Sequence, residues 1–137
     1  MQRPETKSRA RALQILYAWE MSGQPDIRHV IARVAACYER PPAEYDRAAE
    51  LAERAVAGRA EFDRRVAAAA EHWRLERTGV IERNILRLAL AELAEGRTPP
   101  RVVIDEAVKL AHWFGGEKAP QFVNGVLDRL AREQGAL

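Results

Sequence analysis

Apolar residues recur along the chain at steps of three and four positions, and stretches in which apolar and polar residues alternate are missing. Steps of three and four keep apolar side chains on one face of an α-helix, whereas a half-buried strand needs a period of two. Glycine and proline interrupt the pattern at several points. The sequence therefore predicts an all-α fold, a compact bundle of about seven helices.

The predicted helices are bounded by glycine, proline or a capping side chain. They cover Lys7 to Met21, Ile27 to Tyr38, Glu44 to Trp73 as one helix or as two joined at Gly58, Val80 to Leu93, Val102 to Phe114, and Gln121 to Arg132. We expect Thr6 or Ser8 to cap the first helix and Asp26 to cap the second, because short oxygen-bearing side chains can accept a hydrogen bond from the first turn.

The segment from Val80 to Leu93 is apolar almost all round, which is typical of a helix at the centre of a bundle. A length of 137 residues with 47% hydrophobic content predicts a single domain. We expect two packed halves, an N-terminal one at about 1–73 and a C-terminal one at about 74–137. Gly125 lies inside the last predicted helix, where glycine costs about 1 kcal/mol relative to alanine. This cost suggests that another helix approaches closely there.

Charge adds one local feature to this picture. The 22 Lys and Arg residues nearly balance 20 Asp and Glu residues, so any nucleic-acid site must be a patch rather than the whole surface. The first eleven residues carry Arg3, Lys7, Arg9 and Arg11 against the single acid Glu5. Cations of this kind neutralise phosphates.

On a helix, Lys7, Arg11 and Gln14 share one face with Tyr17 at its edge, while Leu13 turns inward. Cations bind phosphates, an amide hydrogen-bonds an exposed base edge, and a ring stacks on a base, so this set suits single-stranded RNA. The residues alone leave a second interpretation open, in which a frayed basic tail lies beside a core tyrosine.

Candidate catalytic chemistry is sparse. His29, His72 and His112 lie on different predicted helices, and none stands at metal-ligand spacing from another His, Cys or Asp. Neither a P-loop nor a dinucleotide-binding motif is present. The lone Cys37 is expected to pack inside the bundle. We therefore predict a protein without enzymatic activity, cofactor or metal, and the absence of a signal peptide or membrane span predicts a cytoplasmic location.

Two stretches of the sequence form recognisable motifs. The first, residues 9–20, reads RARALQILYAWE, an arginine-rich start that leads into a helix. The second runs from Val80 to Leu130 and contains IERNILRLALAEL, a PP turn, VVIDEAVKLAHWFGG and QFVNGVLDRL. In their order and spacing these stretches resemble the NusB family of transcription antitermination factors, and the resemblance covers essentially the whole chain.

This resemblance implies an all-helical fold of two packed subdomains and no enzymatic activity. NusB proteins bind boxA, a short single-stranded element of ribosomal RNA leader transcripts, together with NusE, which is also a protein of the small ribosomal subunit. The complex joins other Nus factors on RNA polymerase and suppresses termination. By resemblance, we expect the same function and partners here.

The resemblance also implies site residues. Those matching the family's RNA contacts are Lys7, Arg9, Arg11, Gln14, Tyr17, Lys118, Gln121, Phe122 and Asn124. Those matching its partner contacts are Glu82, Arg83 and Arg87, on the central helix. Phe122 also has a structural interpretation, because it shares an apolar stripe with Val126 and Leu130.

The sequence departs from the family's pattern at its start, where Glu5 and Thr6 replace residues that are often basic. The electrostatic share of RNA affinity should therefore be smaller, and Lys118, in a loop that is commonly acidic, should offset part of the loss.

Two alternative functions stay open. One is the RNA-targeting domain of a ribosomal RNA cytosine methyltransferase, which requires a cofactor-binding domain. The other is a homodimer that buries its RNA or partner surface.

Overall fold

The computed structural model describes residues 4–70 and 78–137, which form helices and no strand. The helices are α1 (Pro4–Met21), α2 (Ile27–Ala35), α3 (Tyr45–Ala57), α4 (Arg59–Ala69), α5 (Val80–Glu95), α6 (Pro100–Phe114) and α7 (Ala119–Glu133). The predicted all-α fold of about seven helices is confirmed. His72 and the predicted boundary near residue 73 lie outside the described residues, so the division into halves stays a prediction.

The capping predictions had mixed outcomes. Asp26 caps α2, since its Oδ1 accepts the backbone N–H of Arg28 at 2.9 Å. The prediction that Thr6 or Ser8 caps α1 is wrong, because both residues lie inside α1, which begins at Pro4. Their hydroxyls bond instead to groups on other elements. The N-terminal turn is thus tied to the rest of the bundle.

Helix α2 ends at Ala35, three residues before the predicted end. Beyond it the backbone tightens, with Cys37 N–H donating to Val34 O and Tyr38 N–H donating to Ala35 O, both at 3.1 Å. These bonds span three residues instead of four, as in a 3₁₀ turn. Cys37 is exposed, so the expectation that its thiol packs inside the bundle is wrong.

Gly58 separates α3 from α4, which selects the two-helix alternative. A Cβ atom on Gly58 would lie 2.5 Å from the ring of Phe62, a buried residue. Such a distance is far inside van der Waals contact, so the close approach of the ring requires glycine at this position.

Helix α5 forms the centre of the bundle, as its all-round apolar pattern predicts. Every residue from Asn84 to Glu92 is buried. The helix packs against α1, α3, α4, α6 and α7, while α6 packs along α7. The position of α1 is thus set by α3 and α5 together.

Within residues 4–70 and 78–137, no helix has the length and apolar character needed to cross a lipid bilayer. Over the same ranges, His, Cys, Asp and Glu side chains form no group of three or more that could hold a metal ion.

Gly125 is exposed on α7, and a Cβ atom there would meet no atom within 4 Å. The expectation that another helix approaches closely at Gly125 is therefore wrong. We predict that Gly125→Ala raises the free energy of unfolding by about 0.4–1 kcal/mol, because alanine restricts the unfolded chain without a clash. Urea unfolding followed by circular dichroism measures the change.

Gly58→Ala is the matched control, because its Cβ would collide with Phe62. We expect this variant to lose about 1–3 kcal/mol, the usual cost of overpacking. A destabilised Gly125→Ala protein would show that the space around Gly125 is not open.

Candidate nucleic-acid interface

A groove of about 570 Å³ runs along one side of α1. Four residues of α1 that the sequence analysis singled out line it together, at steps of three or four: Lys7, Arg11, Gln14 and Tyr17. The other lining residues are Ala10, Leu13, Glu44, Ile81 and Phe114. The structure thus brings the predicted α1 set into one concave surface.

The groove offers cations to a ligand. Lys7 is exposed, and no carboxylate of the described residues lies within ion-pairing distance of its ammonium group. Arg11 is half-buried and likewise forms no ion pair there. Glu44 is the single carboxylate-bearing residue among the described residues that line the groove. With two cations and one acid among its lining residues, the groove carries a net positive charge.

Tyr38 connects two of the groove residues. Arg11 Nη1 donates to the Tyr38 hydroxyl at 3.0 Å, and that hydroxyl donates to Gln14 Oε1 at 3.1 Å. The Arg11 guanidinium also lies over the Tyr38 ring, 5.3 Å from its centroid. Tyr38 therefore links the side chains of Arg11 and Gln14 at the wall of the groove.

The sequence analysis missed Phe114 as a groove residue. Phe114 is 51% exposed, and its ring meets that of Trp113 edge to face, at 6.4 Å between centroids. Periodicity places Phe114 on the core face of α6, one turn after Leu110. The helix ends there, however, and residues 112–114 are exposed, so Phe114 lines the groove.

The sequence model of the NusB family matches residues 6–132. The chain belongs to the NusB family. The resemblance found in the sequence is thereby confirmed. The chain is 44% identical to the transcription antitermination protein NusB of Solibacter usitatus over 128 residues, which cover 93% of this chain and 88% of that protein. The corresponding protein of Myxococcus xanthus is 40% identical, with 90% and 91% covered.

Solved NusB structures share the fold. The structure of T. maritima NusB superimposes with a TM-score of 0.82 at 30% identity, covering 97% of this chain and 94% of that one. A structure described as antitermination factors NusB and NusE in complex with dsRNA gives a TM-score of 0.80 at 30% identity, covering 97% and 99%. The relatives' name denotes a transcription factor, in agreement with the prediction of a non-enzymatic protein.

The NusB resemblance placed Arg9 on the RNA surface, but the structure buries it, with 5% of the residue exposed. Its Nε and Nη2 donate to the two carboxylate oxygens of Glu92 at 2.8 and 2.9 Å, and its Nη1 donates to Glu106 at 3.0 Å. Arg9 precedes Leu13 and Leu16 by four and seven positions, so helix phase already places it on the buried face. Its role is to hold α1 against α5 and α6.

The two arginines matched to NusB partner contacts also have internal partners. Arg87 is buried and donates to Asp63 at 2.9 and 2.8 Å and to Glu20 at 2.7 Å. Burial lowers the pKa of Arg87, but the hydrogen bonds to Asp63 and Glu20 outweigh this effect and raise it. Arg83 donates to Glu20 at 2.5 Å and keeps a third of its side chain exposed. Of the two, only Arg83 presents surface to a partner.

Glu82, the third residue matched to partner contacts, is half-buried beside the turn between α6 and α7. Its Oε1 accepts the N–H of Gly116 at 3.0 Å. A Cβ atom on Gly79 would lie 2.4 Å from Oε2, so glycine there leaves room for the carboxylate. The bond to Gly116 ties Glu82 to the turn directly after Phe114.

The second element matched to RNA contacts lies at the start of α7. Lys118, Gln121 and Asn124 are exposed and, at steps of three residues, share one face. Phe122 is buried among the core residues, as its structural interpretation predicts. None of these four lines the groove of α1. The polar α7 residues therefore form a separate surface.

Replacing Arg9 tests its structural role. We predict that Arg9→Met lowers the free energy of unfolding by about 3–5 kcal/mol, because two buried carboxylates lose their partner. Lys7→Met, on the exposed face of the same helix, should change it by no more than about 0.5 kcal/mol. Chemical denaturation at pH 7 measures both, and similar stabilities for the two variants would contradict the buried role of Arg9.

The ionisation of Glu106 makes the free energy of unfolding depend on pH in the acidic range. Burial raises its pKa, but the hydrogen bonds from Thr6 and Lys109 and the charge of Arg9 outweigh this and lower it below 4.5. A lowered folded-state pKa stabilises the protein above the unfolded value, and this stabilisation is lost as the pH falls through the folded value.

We therefore predict that Glu106→Gln destabilises the protein at pH 7 and that its stability gap to the wild type narrows as the pH falls below about 4.5. Melting temperatures from pH 7 to pH 3 measure the gap. Glu117→Gln, an exposed control, should follow the wild type. A constant gap for Glu106→Gln would contradict the assignment.

Proposed function

We propose that this NusB-family chain is a transcription antitermination factor that binds the single-stranded boxA element of ribosomal RNA leader transcripts together with NusE. The observation that carries the proposal is the groove of α1. It collects Lys7, Arg11, Gln14 and Tyr17 from one helix, and these residues offer cations for phosphates, an amide for a base edge and a ring for stacking. This role places the protein in the cytoplasm.

The proposed RNA surface is smaller than the sequence suggests. Arg9 is excluded because its guanidinium is held by Glu92 and Glu106, and Phe122 is excluded because it is buried. Lys7 and Arg11 supply the cations on α1, while Lys118, Gln121 and Asn124 extend the surface onto α7. Few phosphate contacts imply weak binding by this chain alone.

A partner protein can supply the missing affinity. The solved complex of NusB with NusE and dsRNA matches this chain over 97% of its length, which supports NusE as the partner. We propose that NusE contacts the exposed parts of Glu82 and Arg83, and that the complex joins other Nus factors on RNA polymerase. A homodimer would use surface that the RNA or NusE otherwise covers.

The salt dependence of RNA binding tests the groove. We predict that Lys7→Ala and Arg11→Ala each weaken boxA binding and reduce the slope of log K against log salt by about 0.7, the value for one phosphate contact on a single strand. Fluorescence anisotropy with labelled boxA RNA measures both quantities. Arg64→Ala removes an exposed cation of α4 that does not line the groove, so it serves as the control.

The same titrations, repeated with scrambled RNA and with NusE, test the partnership. NusE should tighten binding to boxA more than binding to the scrambled RNA. An affinity for boxA that NusE leaves unchanged would argue against the heterodimer, and slopes unaffected in both groove variants would remove α1 from the RNA surface.

A further inference from the structure

The turn between α6 and α7 joins the two surfaces that are proposed to bind RNA. Phe114, which lines the groove of α1, is the last residue of α6. Lys118, the first residue of the polar α7 surface, directly precedes α7. Residues 115–118 connect the two, and 116–118 are exposed. The conformation of this turn therefore sets the spacing between the groove and the polar α7 surface.

Contacts within the segment make the turn tight. The N–H of Gly115 donates to Ala111 O at 2.9 Å, and the N–H of Ala119 donates to Gly116 O at 3.0 Å. A Cβ atom on Gly115 would lie 2.6 Å from the Ala119 Cβ, so the close approach of the two helix ends requires glycine there. These contacts join α6 to α7, and they do not tie the turn to another helix.

Glu82 ties the turn to α5. Its Oε1 accepts the Gly116 N–H at 3.0 Å, across 34 positions of sequence. A hydrogen bond to an ionised acceptor is roughly twice as strong as one between neutral groups. Ile81, the neighbour of Glu82, lines the groove of α1. The first turn of α5 therefore contacts both the groove and the turn that leads to α7.

We infer that Glu82 is a positioning residue for RNA binding, which holds the turn at 115–118 on α5 and so fixes the spacing of the two proposed RNA surfaces. The inference rests on the proposed RNA-binding function. It gives Glu82 a role that needs no protein partner, in addition to the proposed contact with NusE. A loop that is ordered before binding loses less conformational entropy when a ligand binds, so the bond to Gly116 raises RNA affinity without contacting RNA.

Charge and hydrogen bonding predict opposite effects of replacing Glu82. Removal of a negative charge beside an RNA surface tightens binding if electrostatics alone decides. Loss of the bond to Gly116 weakens it. We expect Glu82→Ala to weaken boxA binding roughly 2- to 10-fold without NusE, the factor that the net contribution of one hydrogen bond supplies. Glu82→Gln keeps a side-chain oxygen that accepts the Gly116 N–H, so it should retain at least the wild-type affinity.

Two further variants separate the bond from the residue. Gly79→Ala keeps Glu82 but places a Cβ atom 2.4 Å from Oε2, so it should displace the carboxylate and weaken binding as Glu82→Ala does. The φ of −70° at Gly79 suits alanine. Glu117→Ala removes an exposed carboxylate of the turn itself, and as the matched control it should not weaken binding.

Fluorescence anisotropy with labelled RNA measures these affinities, and hydrogen exchange of the Gly116 amide reports the bond without RNA. The amide should exchange more slowly in the wild type and in Glu82→Gln than in Glu82→Ala and Gly79→Ala. Equal exchange rates in all four proteins would overturn the inference, because the carboxylate would then not hold the turn.

A double-mutant cycle shows whether Glu82 acts through the turn. Lys118→Ala should weaken RNA binding less in the Glu82→Ala background than in the wild type, because the turn that carries Lys118 has already lost its position there. Lys7→Ala, on α1, should have the same effect in both backgrounds. Equal losses for Lys118→Ala in the two backgrounds would contradict a role through the turn.

Titrations with and without NusE, and with scrambled RNA, separate this role from the proposed function. A loss for Glu82→Ala that appears only with NusE would overturn the inference and leave Glu82 as a partner contact. A wild type that prefers boxA, with Glu82→Ala unchanged in affinity, would refute only the inference. A wild type that binds boxA and scrambled RNA equally, with both weakened by Glu82→Ala, would retain the positioning role and refute the boxA function.

Discussion

The buried pairing of Arg9 with Glu92 and Glu106 is the constraint on which the rest of the molecule depends. These groups come from α1, α5 and α6, and the bonds join residues 83 and 97 positions apart in sequence. An unpaired charge in this environment costs several kcal/mol, so the start of α1 can take only one position against the central helix. That position turns Arg9 inward and therefore turns Lys7, Arg11 and Gln14 outward into the groove.

The same pairing reduces the electrostatic strength of the proposed RNA surface. A guanidinium held by two carboxylates contributes nothing to phosphate neutralisation. The acid Glu5 lowers the net positive charge of the N-terminal residues further. Affinity must then come from contacts that are not screened by salt, namely stacking on exposed rings, and from surface supplied by a partner. The exposed Phe114 beside two cations fits this balance.

Much of the fold could be predicted from the sequence, because apolar periodicity and glycine or proline breaks are local signals. The α1 groove set followed from helix phase, and so did the buried side of Phe122. The resemblance to the NusB family placed Arg9 and Arg87 at contact surfaces, but both are buried. Their partners lie far away in the sequence, as Glu20 does from Arg87, so only the folded chain reveals them. The exposure of Phe114 likewise depends on where α6 ends relative to its neighbours.

The groove also depends on the least buried helix of the described part of the chain. Val30 is the single buried residue of α2. Tyr38, which orients Gln14, follows that helix in a turn held by bonds spanning three residues. Segments with few buried contacts open at lower free energy than the core. Opening of this turn would release Gln14 without moving Phe114 or Lys7, because those residues belong to α6 and α1. The Gln14 side chain is therefore less firmly held in the groove than Phe114 and Lys7, since it depends on a separate part of the fold.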